Sequence, residues 1–330
     1  MAETIAVLGA GSWGTALAIQ LARNRMQVKL WGYDAEHVSR LRALRENTDY
    51  LPGFTLADSI EPVASLDAAV EQAPYLLIVI PSKDFRDLLQ QLKPLVDDDK
   101  MLFWASKGFE IETGKLLHEV VAEELPIRRY GVVSGPTFAT EVARGMPAAI
   151  ACAGNDPQSS ETFAALLRGH HFRAYTSNDI VGVELGGALK NVLAIAVGIS
   201  DGLGFGANTR AALMTRGLSE IMHLGTRLGA RRETLMGLAG LGDIILTCTD
   251  DQSRNRRFGL AIGKGKSIPQ AEIEVGQTVE GLRAARAIYH KSKQLGLELP
   301  IIDEVYHVLY DDKNPHDAVR DLESRPQGQE

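Results

Sequence analysis

The 330-residue chain has only two cysteines, Cys152 and Cys248, far apart and without a CxxC or Cys/His spacing. So few thiols exclude a disulfide framework and a structural zinc site, and they fit a reducing compartment such as the cytoplasm. No HExxH, no Cys/His cluster and no GxSxG occurs, so neither a metal site nor a serine nucleophile is indicated. Positive charge is also short: 35 Lys and Arg against 42 Asp and Glu give a net charge of −7. That balance argues against nucleic acid or an anionic membrane as the main partner. The acidic start Met1-Ala2-Glu3-Thr4 does not read as a signal peptide. The most apolar stretch, 180–206, is interrupted by Glu184, Lys190, Asn191 and Asp201. It therefore lacks the run of about 18 apolar residues that a membrane span needs, and is expected to be a buried helix. Neither internal repeats nor low-complexity segments are found.

What is present is 45% hydrophobic and 23% charged residues, the balance of a soluble globular protein long enough for two domains. Strand-like apolar runs fall at 4–8, 27–31, 75–80, 101–105, 131–134, 148–153 and, more weakly, 172–175. Amphipathic helical spacing lies between several of them, at 15–24, 37–45, 85–92 and 114–124. This alternation implies a doubly wound, mostly parallel α/β sheet. Beyond about residue 178 the strand signal stops and helices are expected at 180–206, 210–228, 259–262, 282–295 and 301–310. Gly296 and Pro300 punctuate the last two. The expected domains are 1–185, α/β, and 186–330, all-helical; residues 324–330 are polar and read as a frayed end.

The first run passes into Gly9-Ala10-Gly11-Ser12-Trp13-Gly14 and a helix opens at once. A GxGxxG alone is weak; between a strand and a helix it reads as a dinucleotide site. Gly9 serves the tight turn, Gly11 the approach of a pyrophosphate and Gly14 helix–strand packing. The helix N-terminus adds free N–H groups for the anion. Asp34 lies near where an acid would hold a ribose 2′-OH. An earlier strand end would instead leave Gly32 and Tyr33 there, so NADH and NADPH both remain compatible.

Ligands of such sheets sit outside the carboxyl ends of the strands. Lys107 follows one strand directly and is expected to reach into that cleft. Lys190 is the only charged side chain between Leu185 and Ser200. Gly186 and Ala194, four residues to either side, leave room on its face of the helix. A lysine in apolar surroundings is suited to general acid–base work, whereas a structural lysine there would need Glu184 or Asp243 as ion-pair partner. Asn191 is either a polar participant or the cap of a helix–helix contact. Downstream, Ser253-Arg254-Asn255 offers a hydroxyl, a guanidinium fork and an amide at a helix start, a phosphate-binding set. The bland alternative is a solvated basic turn beside Asp250 and Asp251. Asp243, among glycines, would orient a substrate hydroxyl or hold Lys190.

With these residues in place, the chain resembles the bacterial-type glycerol-3-phosphate dehydrogenases. The resemblance is carried by GAGSWGTALA at Gly9, ASKG ending at Gly108, SGPTFA at Ser134 and GGALKNVLAI at Gly186. It continues through SDGLGFGAN at Ser200, TRGLSE at Thr215, GLAGLGDIILTCT at Gly237, SRNRRFG at Ser253 and VEG at Val279. It implies an N-terminal Rossmann domain, a helical C-terminal domain and NAD(P)H-dependent reduction of dihydroxyacetone phosphate to sn-glycerol 3-phosphate for phospholipid synthesis. By position, Ser12, Trp13, Tyr33, Tyr50, Lys107, Ala139, Arg254 and Glu280 would contact the cofactor. Lys107, Gly135, Thr137, Lys190, Asp243, Ser253, Arg254 and Asn255 would contact substrate, with Lys190 as general acid/base. Gly32-Tyr33-Asp34 departs from the His or Arg that many members carry there. No metal, nucleic-acid or integral membrane partner is implied, and a homodimer is compatible. A dehydrogenase of another hydroxy acid shares the layout; a dinucleotide sensor would not need a proton donor at Lys190.

Overall fold

The structure, a computed structural model, describes residues 3–169, 171–276 and 278–326. Met1, Ala2 and four residues of the expected frayed end, 327–330, lie outside the described residues. Contacts divide the chain into two units: 1–110 with 115–184, and 111–114 with 185–330.

The first unit is built on strands β1 (Thr4–Leu8), β2 (Gln27–Trp31), β3 (Glu46–Asn47), β4 (Leu51–Thr55), β5 (Ile60–Val63), β6 (Tyr75–Ile78), β7 (Met101–Trp104), β8 (Arg129–Ser134), β9 (Ala148–Gly154) and β10 (Phe172–Ser177). Helices α1 (Ser12–Arg23), α2 (Ala35–Leu44), α3 (Leu66–Val70), α4 (Phe85–Leu92), α5 (Leu117–Glu124), α6 (Ala139–Arg144) and α7 (Pro157–Leu167) intervene. Eight strands form one sheet in the order β10-β9-β8-β7-β6-β1-β2-β5, and β3 pairs with β4 separately. Every pairing in the large sheet is parallel except β8 with β9. The chain winds outward from β1 through β2 to β5, then returns to β6 on the other side of β1. The point of reversal therefore lies beside the end of β1, the place where sheets of this kind bind ligands. Ile5–Leu8, Leu76–Ile78 and Met101–Trp104 are buried throughout, as strands covered on both faces must be. Phe103 stacks on Phe163 of α7, 3.9 Å between ring centres.

Several elements differ from expectation. β5 was not anticipated because Ile-Glu-Pro-Val is short and contains proline; it stands at the sheet edge, where a missing N–H is tolerated. The helix expected over 114–124 begins only at Leu117, since Gly114 turns the chain at φ +68°. Helix α7 was also unforeseen, although Asp156 caps it by accepting from the Ser159 N–H and Pro157 opens it.

The second unit is helical: α8 (Ile180–Gly202, whose first five residues group with the sheet), α9 (Ala207–Arg227), α10 (Arg232–Leu235), α11 (Asp243–Thr249), α12 (Arg254–Gly263), α13 (Ile268–Val275), α14 (Glu280–Gln294), α15 (Pro300–Tyr310) and α16 (Pro315–Ser324). Among the described residues α8 alone is long and apolar enough to cross a membrane, yet 83% of its most apolar window is buried within the protein. Helix α12 lies directly against it. A Cβ on Gly259 would overlap the Ile195 carbonyl, one on Gly263 the Ile199 carbonyl, and one on Gly198 the Arg256 carbonyl. Glycines four apart on both helices thus let the backbones touch, and the pairs 191/255, 195/259 and 199/263 run in parallel register.

Candidate active site

In the first unit the expected cofactor residues collect at the carboxyl ends of β1, β2, β7 and β8. Gly9 has φ +132°, and a Cβ there or on Gly14 would strike main-chain oxygen. A Cβ on Gly11 would meet nothing within 4 Å, so the space above it is open. Gly11 is the N-cap of α1 and brings no side-chain cap, while the first helical bond runs from Thr15 N to the Gly11 carbonyl. The N–H groups of Ser12, Trp13 and Gly14 precede that bond. An open glycine face before an uncapped helix start fits a dinucleotide pyrophosphate.

Ser12 Oγ donates to the Tyr50 carbonyl at 2.6 Å, and the Tyr50 ring stands edge-on to His37. Asn47 braces this corner by donating to the Ala10 carbonyl and to Thr15 Oγ1 at 2.9 and 2.7 Å. Because β2 ends at Trp31, Gly32 and Tyr33 come next, and Tyr33 is 85% exposed. The Asp34 carboxylate accepts from the Glu36 and His37 N–H groups as the cap of α2. At the neighbouring strand ends, Lys107 is half-buried; beside it Ser106 Oγ donates to the Ile80 carbonyl at 2.6 Å. Gly135 packs closely on the main chain of Ala149 and Ile150, Thr137 Oγ1 donates to the Gly135 carbonyl at 3.2 Å, and Ala139 opens α6.

The second unit holds the other expected residues. Lys190 is 9% exposed and Asp243 fully buried; Lys190 Nζ donates to Asp243 Oδ1 at 2.5 Å and to Thr247 Oγ1 at 2.9 Å. Of the two candidate partners it is Asp243 that holds the lysine. Glu184 instead accepts from Trp104 Nε1 and from His118 in the first unit. The space expected beside Lys190 at Gly186 is filled, for a Cβ there would overlap the Ala239 carbonyl. Asp243 is delivered by a π-helical turn, Leu238–Gly242, in which Gly240 presses on the Leu235 carbonyl. A buried ammonium needs such a carboxylate to offset its lost hydration. Burial pushes the nearby Cys248 thiol up to about 12, so it stays protonated and inert at neutral pH.

One turn along, Ser253 Oγ caps α12 by accepting from the Arg256 N–H. Asn255 is buried: its Nδ2 donates to Asn191 Oδ1 at 2.9 Å, and its Oδ1 accepts from the Gly281 N–H at 2.8 Å. Asn191 is therefore the helix–helix contact, and the second amide proton of Asn255 is what its side chain can offer an anion. Gly281 must be glycine, because Ile195, Asn255 and the Asn191 carbonyl crowd it. Arg254 is exposed, yet loss of hydration around its guanidinium lowers its pKa while the Glu280 carboxylate opposes that shift. Sequence reasoning missed Thr247, whose signal was its place four residues after Asp243 on the same helix face. It also missed the paired glycines that align α8 with α12.

Residues 4–160 match the family described as the N-terminus of NAD-dependent glycerol-3-phosphate dehydrogenase, and residues 179–320 the one described as its C-terminus. The glycerol-3-phosphate dehydrogenase (NAD(P)+) of Thioalkalivibrio sulfidiphilus is 53% identical over 324 residues, covering 98% of this chain and 97% of its own. That of Shewanella halifaxensis is 50% identical, covering 99% and 97%. The crystal structure of glycerol-3-phosphate dehydrogenase from Coxiella burnetii aligns at TM-score 0.96 and 45% identity, over 98% of this chain and 99% of that one.

Proposed function

The chain belongs to the NAD-dependent glycerol-3-phosphate dehydrogenase family, and on that premise we propose that Lys190 is the general acid and base of its reaction. The enzyme is an NAD(P)-dependent oxidoreductase interconverting dihydroxyacetone phosphate and sn-glycerol 3-phosphate. NAD(P)H, when bound, supplies a hydride to the substrate carbonyl carbon. The Lys190 ammonium gives its proton to the carbonyl oxygen as that oxygen gains negative charge; in the reverse direction the neutral amine takes the proton back. Asp243 and Thr247 hold Nζ in one place, so the donor does not have to be organised during the reaction.

Ser253 and Arg254, with the remaining amide proton of Asn255, grip the phosphate, and that remote binding orients the carbonyl. Lys107, Gly135 and Thr137 line the substrate. Gly9, Gly11, Ser12, Trp13 and Gly14 hold the pyrophosphate side of the cofactor, with Tyr33, Tyr50, Lys107, Ala139, Arg254 and Glu280 along its length. A cytoplasmic location and a homodimeric state belong to the same reading; two buried, free thiols support the first, and light scattering tests the second.

The observation that carries the proposal is the buried Lys190–Asp243–Thr247 set. It is tested by following reduced-nicotinamide absorbance after adding dihydroxyacetone phosphate, with NADH and NADPH in separate runs. Lys190→Ala should lower turnover by about 10²–10⁴-fold while cofactor still binds. Intact turnover in that variant removes Lys190 from the role, and the ratio of the two runs reads the preference set around Gly32, Tyr33 and Asp34.

A further inference from the structure

Arg256 stands two residues beyond Arg254 and is nearly buried, with its side chain 10% exposed. Its Nε donates to the Cys248 carbonyl at 3.1 Å, its Nη2 to Asp201 Oδ2 at 2.7 Å and its Nη1 to Asp251. These acceptors belong to the end of α11, the end of α8 and the loop that leads into α12. Asp201, itself 7% exposed, also accepts from Arg210, so the buried carboxylate is shared by two guanidinium groups. Asp251 is 76% exposed and contributes little; the Cys248 carbonyl and Asp201 are the firm anchors.

The body of α12 does not need this cluster in order to pack. Gly259 and Gly263 already seat it against α8. What Arg256 fixes is the first turn, where the Ser253 hydroxyl and the Arg254 guanidinium stand.

We infer that Arg256 is a positioning residue for phosphate recognition, its planar fork tying the start of α12 to three neighbouring segments so that Ser253 and Arg254 meet the substrate phosphate. The inference rests on the phosphate role given above to Ser253 and Arg254. A lysine cannot replace the fork, because one ammonium cannot point donors in the same plane at the Cys248 carbonyl and Asp201.

The test compares kcat/KM for dihydroxyacetone phosphate with kcat/KM for dihydroxyacetone, which keeps the carbonyl and lacks the phosphate, in wild type and Arg256→Lys. Misplacing the turn should cost about 100-fold with the phosphorylated substrate and less than about threefold with dihydroxyacetone. Equal losses on both substrates mean that Arg256 only supports the fold, and no loss means that it positions nothing; either result overturns the inference. If Arg256→Lys fails to give a cooperative thermal melt, Asp201→Ala carries the same comparison, since it removes the Nη2 acceptor and leaves the guanidinium in place. A wild-type enzyme with no preference for the phosphorylated substrate would instead overturn the phosphate role of Ser253 and Arg254.

Discussion

A methyl group added at position 14 would drive into the Gly9 carbonyl, whereas the same methyl at position 11 would touch no protein atom within 4 Å. The fold itself therefore demands glycine at 14, and at 11 the demand would come from the cofactor proposed to bind there. Gly11→Ala should keep stability within about 0.5 kcal/mol of wild type while weakening NAD(P)H binding at least about tenfold. Thermal melts and a fluorescence titration check both halves, and unchanged binding would move the pyrophosphate away from this turn. Asp243 shows the opposite dependence. Asp243→Ala removes the carboxylate that offsets the lost hydration of a buried ammonium and should cost about 3–5 kcal/mol in denaturant unfolding. Both residues were legible in the sequence, one through GxGxxG and the other as an acid among glycines. Thr247 was passed over, because its place four residues after Asp243 counts only once Asp243 is known to face Lys190.

Helices α8 and α12 meet through glycine rather than through side chains, and this sets the register that puts Asn191 beside Asn255. Lys190 and Arg254 each precede one member of that pair, so the proposed proton donor and the proposed phosphate grip are aligned by backbone packing between segments 64 residues apart in sequence. Gly259→Ala would push a Cβ into the Ile195 carbonyl, which cannot yield without parting the helices. Overpacking of this kind should cost about 1–3 kcal/mol and lower kcat/KM as well. Gly206→Ala, where nothing lies within 4 Å, should do neither; equal melting temperatures for the two variants would rule out the close-packed register. The glycines were visible in the sequence, but which helix each one faces is a long-range fact that periodicity does not carry. The same limit hid β5 and the β3–β4 pair, whose few residues are held by neighbours rather than by their own pattern.

At the scale of the whole chain, composition and the alternation of apolar runs anticipated an acidic two-part α/β and α protein, and the interruptions at Glu184, Lys190, Asn191 and Asp201 marked α8 as a buried helix, which its burial bears out. Composition gave no hint of how stability depends on pH, because that is set by individual buried groups, Glu220 among them. Glu220 of α9 accepts from the Ile301 and Ile302 N–H groups at 2.8 and 3.2 Å, tying α9 to the start of α15. Burial raises its pKa from 4.5 to about 7; the two N–H groups and Arg216 oppose the rise, and Asp303 adds to it. The folded state therefore keeps a proton that the unfolded chain releases near pH 4.5. Its contribution to stability is complete below that pH and is lost as pH climbs through about 7, by at most about 3 kcal/mol. Glu220→Gln cannot titrate and should remove this slope. Urea unfolding at pH 5, 6, 7 and 8 measures it as the difference between wild type and variant. His118 and Glu184 are common to both proteins, so their titration cancels from that difference. Parallel curves would mean that Glu220 is ionised across the range and that α15 is held by a charged cap.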